Sequence, residues 1–219
     1  YDAQKGQVPI SDIYPGGASN VNELLIQLVD KLSVRDYERR STSGYQQFFS
    51  SFSGFLTAAQ GRFGDMLSEV TIRAANQNIY YLELMQSFGM QQASLEALEF
   101  SDLELGYGER LNHSAIRQIA EEAIQEVDKM ERRRGELQGC SKAMVAQNTG
   151  CSVSVRYLAQ VIRTRNLSQV YAQTLLAFML IEMDERVVGL NFVAPEDHPV
   201  SLMDYESHIC LLYTSPSPR

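Results

Sequence analysis

The spacing of apolar residues divides the chain into helical stripes separated by short strand-like runs. Val21 to Leu32 is apolar at helical spacing. Gly44 to Ala59 carries Tyr45, Phe48, Phe49, Phe52, Phe55 and Leu56, an aromatic helical face. A third helix is predicted over about Gly64 to Asn76, with Leu67, Val70 and Ala74 on one side. Ile79 to Met85 is short and rich in strand formers. Ser114 to Glu136 is a long helix with Ile116, Ile119, Ala120, Ala123, Ile124, Val127 and Met130 on one stripe. Arg132, Arg133 and Arg134 fall in its last turns, where cations suit the helix dipole, and Gly135 is its expected stop. A strand over Ser152 to Ile162, a helix over Leu167 to Met183 and a strand over Val187 to Val193 follow. Asp204 starts another helix, and the Gly/Pro/Asn-rich residues 1–20 read as a loop.

Helices followed by strands alternating with amphipathic helices predict an α/β fold with parallel pairing and right-handed crossovers. Barrels and open doubly wound sheets both fit that order. No GxGxxG or GxxxxGK[ST] follows any strand, so the main sequence support for a nucleotide-cradling open sheet is missing.

Charge narrows the partners. The chain has 19 basic and 27 acidic residues, a net charge of −8, which disfavours nucleic acid and anionic membrane surfaces. No stretch of apolar residues is long enough to span a membrane. Cys140 and Cys151 have no neighbouring CxxC or His pair and do not read as a zinc site. They are either two small thiols or a disulfide, the latter implying an oxidising compartment. His113, His198 and His208 have no spacing that puts two of them on one face near a carboxylate, so each reads as structural or solvent-facing.

Four segments carry a resemblance. GYQQFFSSFSGF (44–55), GDMLSEVTIRAANQNIYYLEL (64–84), SVRYLAQVIRT (154–164) and VVGLNFVAPEDHPVSLMDYESHI (187–209) resemble, in this order, the adenosine deaminase family. The similar branch is the bacterial one related to secreted deaminase growth factors. The resemblance implies a partial (β/α)8 TIM barrel, holding strands two to four preceded by extra helices. It implies a metal-dependent hydrolase that removes the 6-amino group of adenosine, giving inosine and ammonia. Zinc in the parent protein would be held by an HxH on strand one, a His on strand five and an Asp on strand eight. A Glu after strand five would shuttle protons, and a His on strand six would orient the water. None of these positions falls within this chain, so no catalytic residue, metal ligand or bound zinc is expected in it.

What the resemblance carries over is a substrate-binding set. Phe48 and Phe52, four apart on one helix face, match positions that roof the nucleoside, with plain core packing as the alternative. Ser87 matches a rim position just past strand two, where barrel sites form, with a loop-capping role as its alternative. Ile162 matches a position facing the substrate from strand three. After strand four the family has Gly-Asp-Glu, and this chain has Ala194-Pro195-Glu196. The Gly donates a backbone N–H to a purine nitrogen. Ala194 retains an N–H and Pro195 has none, which opens the substrate to other aminopurine nucleosides. Rival readings are another amidohydrolase-type barrel enzyme and a non-catalytic helical binding module.

Two further expectations follow. Strand parity set by Ser87 and Ile162 puts Glu83 and Met85 on the inward face with Arg156, Leu158 and Gln160. A direct Glu83–Arg156 salt bridge is therefore expected, with Arg156 turned towards a helix carboxylate as the alternative. The last ten residues, CLLYTSPSPR (210–219), resemble the in-frame translation of a sequencing adapter. They are set aside as a non-native tail expected to pack against nothing, leaving residues 1–209 as one hydrolase-domain fragment.

Overall fold

The computed structural model describes residues 18–35, 37–40, 42–97, 113–140 and 150–214. The chain divides into two compact units, residues 1–63 and 64–219.

The first unit holds α1 (Ala18–Leu32), a 3-10 turn (Tyr37–Arg40) and α2 (Gly44–Ala59). Helix α1 begins three residues inside the segment read as a loop, and residues 1–17 lie outside the described ones. The start of α2 is fixed by a capping box: Gln46 N–H donates to Ser43 Oγ at 3.1 Å, and Ser43 N–H to Gln46 Oε1 at 3.3 Å. The side of α2 that packs inward is polar. Buried Gln47 donates through Nε2 to the carbonyls of Asp30, Lys31 and Ser33, at 3.1, 3.2 and 2.8 Å. It thus supplies donors to carbonyls at the α1 terminus that have no intrahelical partner.

The second unit runs α3 (Phe63–Asn76), β1 (Tyr81–Gln86), α4 (Met90–Glu96), α5 (His113–Gln138), a 3-10 turn (Gly150–Ser152), β2 (Ser154–Ile162), α6 (Leu167–Met183), β3 (Val187–Val193), α7 (Pro199–Met203) and α8 (Tyr205–Thr214). The three strands are parallel and lie in chain order, as the β-α-β pattern predicts. On β2 the alternation is strict: Val155, Tyr157, Ala159 and Val161 are buried. They join Leu67 of α3, Ile116, Ala120, Ala123, Val127 and Met130 of α5, and Val170, Leu176 and Leu180 of α6 in one core. Ser154, Arg156, Leu158, Gln160 and Ile162 point to the other face and are exposed or half-buried. Helix α6 is apolar nearly all round because it packs on both strands and helices.

Several local expectations need correction. Ile79 and Tyr80 precede β1 and do not belong to it, and β2 starts at Ser154. On α3 the buried face is Leu67, Ser68, Thr71, Ala74 and Ala75, while Val70 is exposed. Gly135 is interior to α5, which continues to Gln138 and stops at Gly139, φ 66°. The Gln138 amide explains the extra turn: its Nε2 donates to Ser68 O, Ser68 Oγ and Thr71 Oγ1 at 3.1, 3.2 and 2.7 Å. The three arginines accordingly sit short of the helix end, and two of them make discrete pairs, Arg133 with Asp65 at 2.7 Å and Arg134 with Glu131 at 3.0 Å. Short helices α4 and α7 were not predicted.

Cys140 and Cys151 form a disulfide that ties the end of α5 to the turn before β2, with Cα atoms 5.5 Å apart. The expectation that residues 210–219 pack against nothing is overturned for their first half. Helix α8 extends to Thr214, and Leu211 is 3% exposed within the main core while Tyr213 is 84% exposed. An apolar side chain on the inward face of α8 gains by leaving water whatever its origin. Residues 215–219 lie outside the described ones.

Candidate functional site

The bare face of the sheet collects polar residues towards the C-terminal ends of its strands. Strand register pairs Gln160 with Asn191 and Ile162 with Val193. Gln86 pairs with Ala159, which brings Ser87 beside Gln160. Ser87 Oγ donates to Gln160 Oε1 at 2.6 Å, across 73 residues of sequence. Asn191 Nδ2 points at Met85 Sδ, 3.0 Å away. A hydroxyl, two amides and a thioether thus cross all three strands in one row. Ser87, Met85 and Asn191 are exposed, while Gln160 and Ile162 are half-buried.

The row is held from below. Gln173 on α6 is 1% exposed, and its Oε1 accepts from Ile162 N–H at 2.8 Å. Its Nε2 donates to Gln169 O at 3.2 Å, so both ends of a buried amide are satisfied. Beyond the strands, Arg163 N–H donates to Val193 O at 3.1 Å. The Arg163 guanidinium reaches the Phe192 carbonyl and pairs with Glu196 at 3.4 Å. Glu196 is itself 84% exposed, so this pair contributes little energy.

The turn after β3 has an unusual backbone. Ala194 takes φ 83°, in the left-handed region that glycine occupies without a Cβ penalty. It is followed by Pro195, whose ring further restricts the residue before it. This is the position at which the resemblance puts a glycine.

Of the predicted site residues, Ser87 and Ile162 share the bare face, and Ala194 and Glu196 lie in the turn at its rim. Phe48 and Phe52 belong to the first unit. Their rings stack edge-to-face with centroids 5.1 Å apart, and they are 47% and 41% exposed, so they do not fill that unit's core. Sequence reading placed Gln160 and Met85 on this face by parity but gave them no role, and passed over Asn191, Arg163 and Gln173.

His198 caps α7, its Nδ1 accepting from Val200 N–H at 3.2 Å. Buried His208 has no hydrogen-bond partner at Nε2, and burial pushes its pKa down against the pull of Asp204, with Arg163 adding to the drop. Among the described residues no group of three or more His, Cys, Asp or Glu is arranged to hold a metal. The donors of the row are amide, hydroxyl and thioether, not the imidazole, thiolate and carboxylate set that zinc takes. The row therefore does not fit zinc. No family model, curated protein or solved structure matches the chain.

Proposed function

We propose that this chain is the strand-two-to-four part of a (β/α)8 barrel in an adenosine-deaminase-like aminohydrolase, and that it supplies the wall of the substrate pocket. The observation that carries the reading is Ala194. The resemblance puts glycine there, and the backbone takes φ 83°, a conformation glycine favours. That agreement is local and concerns backbone conformation at one position of the 187–209 segment. Chain-order parallel strands with helices on one face support the barrel expectation but would fit an open sheet equally.

In this reading the row of Ser87, Gln160 and Asn191 presents donors and acceptors at the barrel mouth, where pockets of this fold form. Neutral amides and hydroxyls can hydrogen-bond the edge of an uncharged aminopurine at low desolvation cost. Pro195, lacking an N–H, removes one donor from the turn, which favours an aminopurine nucleoside other than adenosine as an alternative substrate. The parent's zinc would supply the activated water. The reading assigns its ligands to segments of the parent outside this chain. Reading the parent coding sequence on both sides tests this. An HxH following a strand upstream and a His-Ala-Gly-Glu-like segment downstream are expected. Intact flanks with neither would overturn the assignment.

A further inference from the structure

An open depression of about 470 Å³ lies at the opposite, N-terminal end of the strands, bounded by α5 and the starts of β2 and β3. Arg134, Arg156 and Arg186 line it against one carboxylate, Glu131. Two of the three guanidinium groups are accounted for. Arg186 grips Asp184 at 2.6 Å and Asp128 at 2.7 Å, and these bonds hold its proton more firmly than usual. Arg134 contacts Glu131 at 3.0 Å and donates to Val153 O at 3.2 Å. Glu131 is shared, since Tyr157 OH also donates to it at 2.6 Å. The buried Arg134 Nε makes no aligned hydrogen bond in spite of that short contact.

Arg156 is different. Its Nη1 donates to Val155 O at 3.0 Å and, at 3.4 Å, to Ser154 Oγ, both neutral acceptors. No carboxylate among the described residues lies within ion-pair distance of it. Its register partner Glu83 is engaged by Tyr81 OH at 2.7 Å. The planar fork of a guanidinium suits two parallel bonds to an oxyanion.

We propose that this depression is an oxyanion site in which Arg156 receives a carboxylate or phosphate group on its unused donors. Arg134, paired with Glu131, lines the wall beside it. Arg186, neutralised by its aspartates, shapes the wall and does not bind. The site stands at the opposite strand ends from the polar row and does not depend on the aminohydrolase reading.

The test uses the full 219-residue chain. Inorganic phosphate and acetate are titrated separately, at ionic strength held constant with chloride, and the melting temperature and calorimetric heat are followed. A rise with phosphate alone identifies a tetrahedral dianion, and a rise with acetate a planar carboxylate; either supports the site. Arg156→Gln is expected to weaken binding at least about tenfold, the value of a charge-assisted bond. Arg117→Gln, on the exposed side of α5, should leave it unchanged, and Glu83→Gln should strengthen it. If Arg156→Gln does not fold, Arg156→Lys carries the test, since it keeps the charge and loses the fork; affinity equal to the parent chain's then contradicts the proposal. No response beyond chloride, or the same response in the Arg156 variants, overturns it.

Discussion

Glu83 and Arg156 sit directly opposite one another on neighbouring parallel strands and share a face, yet they form no ion pair. Each carries a local partner instead: Tyr81 OH on the carboxylate, at 2.7 Å, and the Val155 carbonyl on the guanidinium, at 3.0 Å. Parity placed them correctly on one face, but the expected salt bridge does not form. On an open face both groups stay partly hydrated, so neither is forced to neutralise the other. A double-mutant cycle of Glu83→Gln and Arg156→Gln, read by urea unfolding, should give a coupling below about 0.5 kcal/mol. A coupling of several times that value would mean that the pair forms in solution.

Ala194 holds the turn after β3 in a glycine-like conformation ahead of a proline. Replacing it with glycine removes the Cβ penalty, which outweighs the added freedom of the unfolded chain. Ala194→Gly should therefore stabilise by about 0.5–1 kcal/mol. The denaturant midpoint should rise at unchanged slope. A fall would show that the residue does not keep this backbone in solution.

Acid sensitivity should come in two stages. Burial pushes His208 below its ordinary pKa, so the unfolded chain takes up that proton first as pH falls. This contribution is whole above about pH 6.5 and is lost below it. Burial alone would raise Asp184, but the Arg186 side-chain and backbone hydrogen bonds outweigh it and hold the carboxyl low. Its contribution is whole above about pH 4 and is lost as pH falls through the folded-state value. Urea midpoints at about pH 8, 5.5 and 3.5 check both stages. His208→Asn should flatten the first stage and Asp184→Asn the second. A profile unchanged by either variant would contradict the assignment.

Elements whose period is long and strong were legible. Helix α2 was marked by its Phe spacing, and β2 by its alternation from Val155 to Val161. Short elements were not. Met90–Glu96 has too few residues for a stripe, and Gly89, φ 59°, reads as a break although it starts that helix. Gly135 misled because an exposed helix interior tolerates glycine at a modest cost, and the anchor that carries the helix past it, Gln138, acts through contacts 67 and 70 residues away. At the candidate site, parity along one strand was readable. Partnership across strands, Ser87 with Gln160 and Asn191 with Met85, depends on register, which no single segment encodes.

The disulfide resolves what the cysteine spacing left open. It closes a loop with a sequence separation of 11. The chain-entropy estimate for a loop of that size is about 3 kcal/mol. Reduction, or replacement of both Cys140 and Cys151 by Ser, should lower unfolding free energy by about that amount and leave the far-ultraviolet circular dichroism unchanged. Insensitivity to reductant would show that the bond does not form in the isolated protein.

In the proposed reading, Ser87, Gln160 and Asn191 face a nucleoside in a barrel aminohydrolase. Steady-state deamination of adenosine and other aminopurine nucleosides by the intact parent protein, with and without Gln160→Ala, tests it most directly. Turnover of at least one of them is expected, with a KM raised about tenfold by Gln160→Ala, the loss of one pocket hydrogen bond, at nearly unchanged kcat. No turnover by the intact parent, or turnover that Gln160→Ala leaves unaltered, would contradict it.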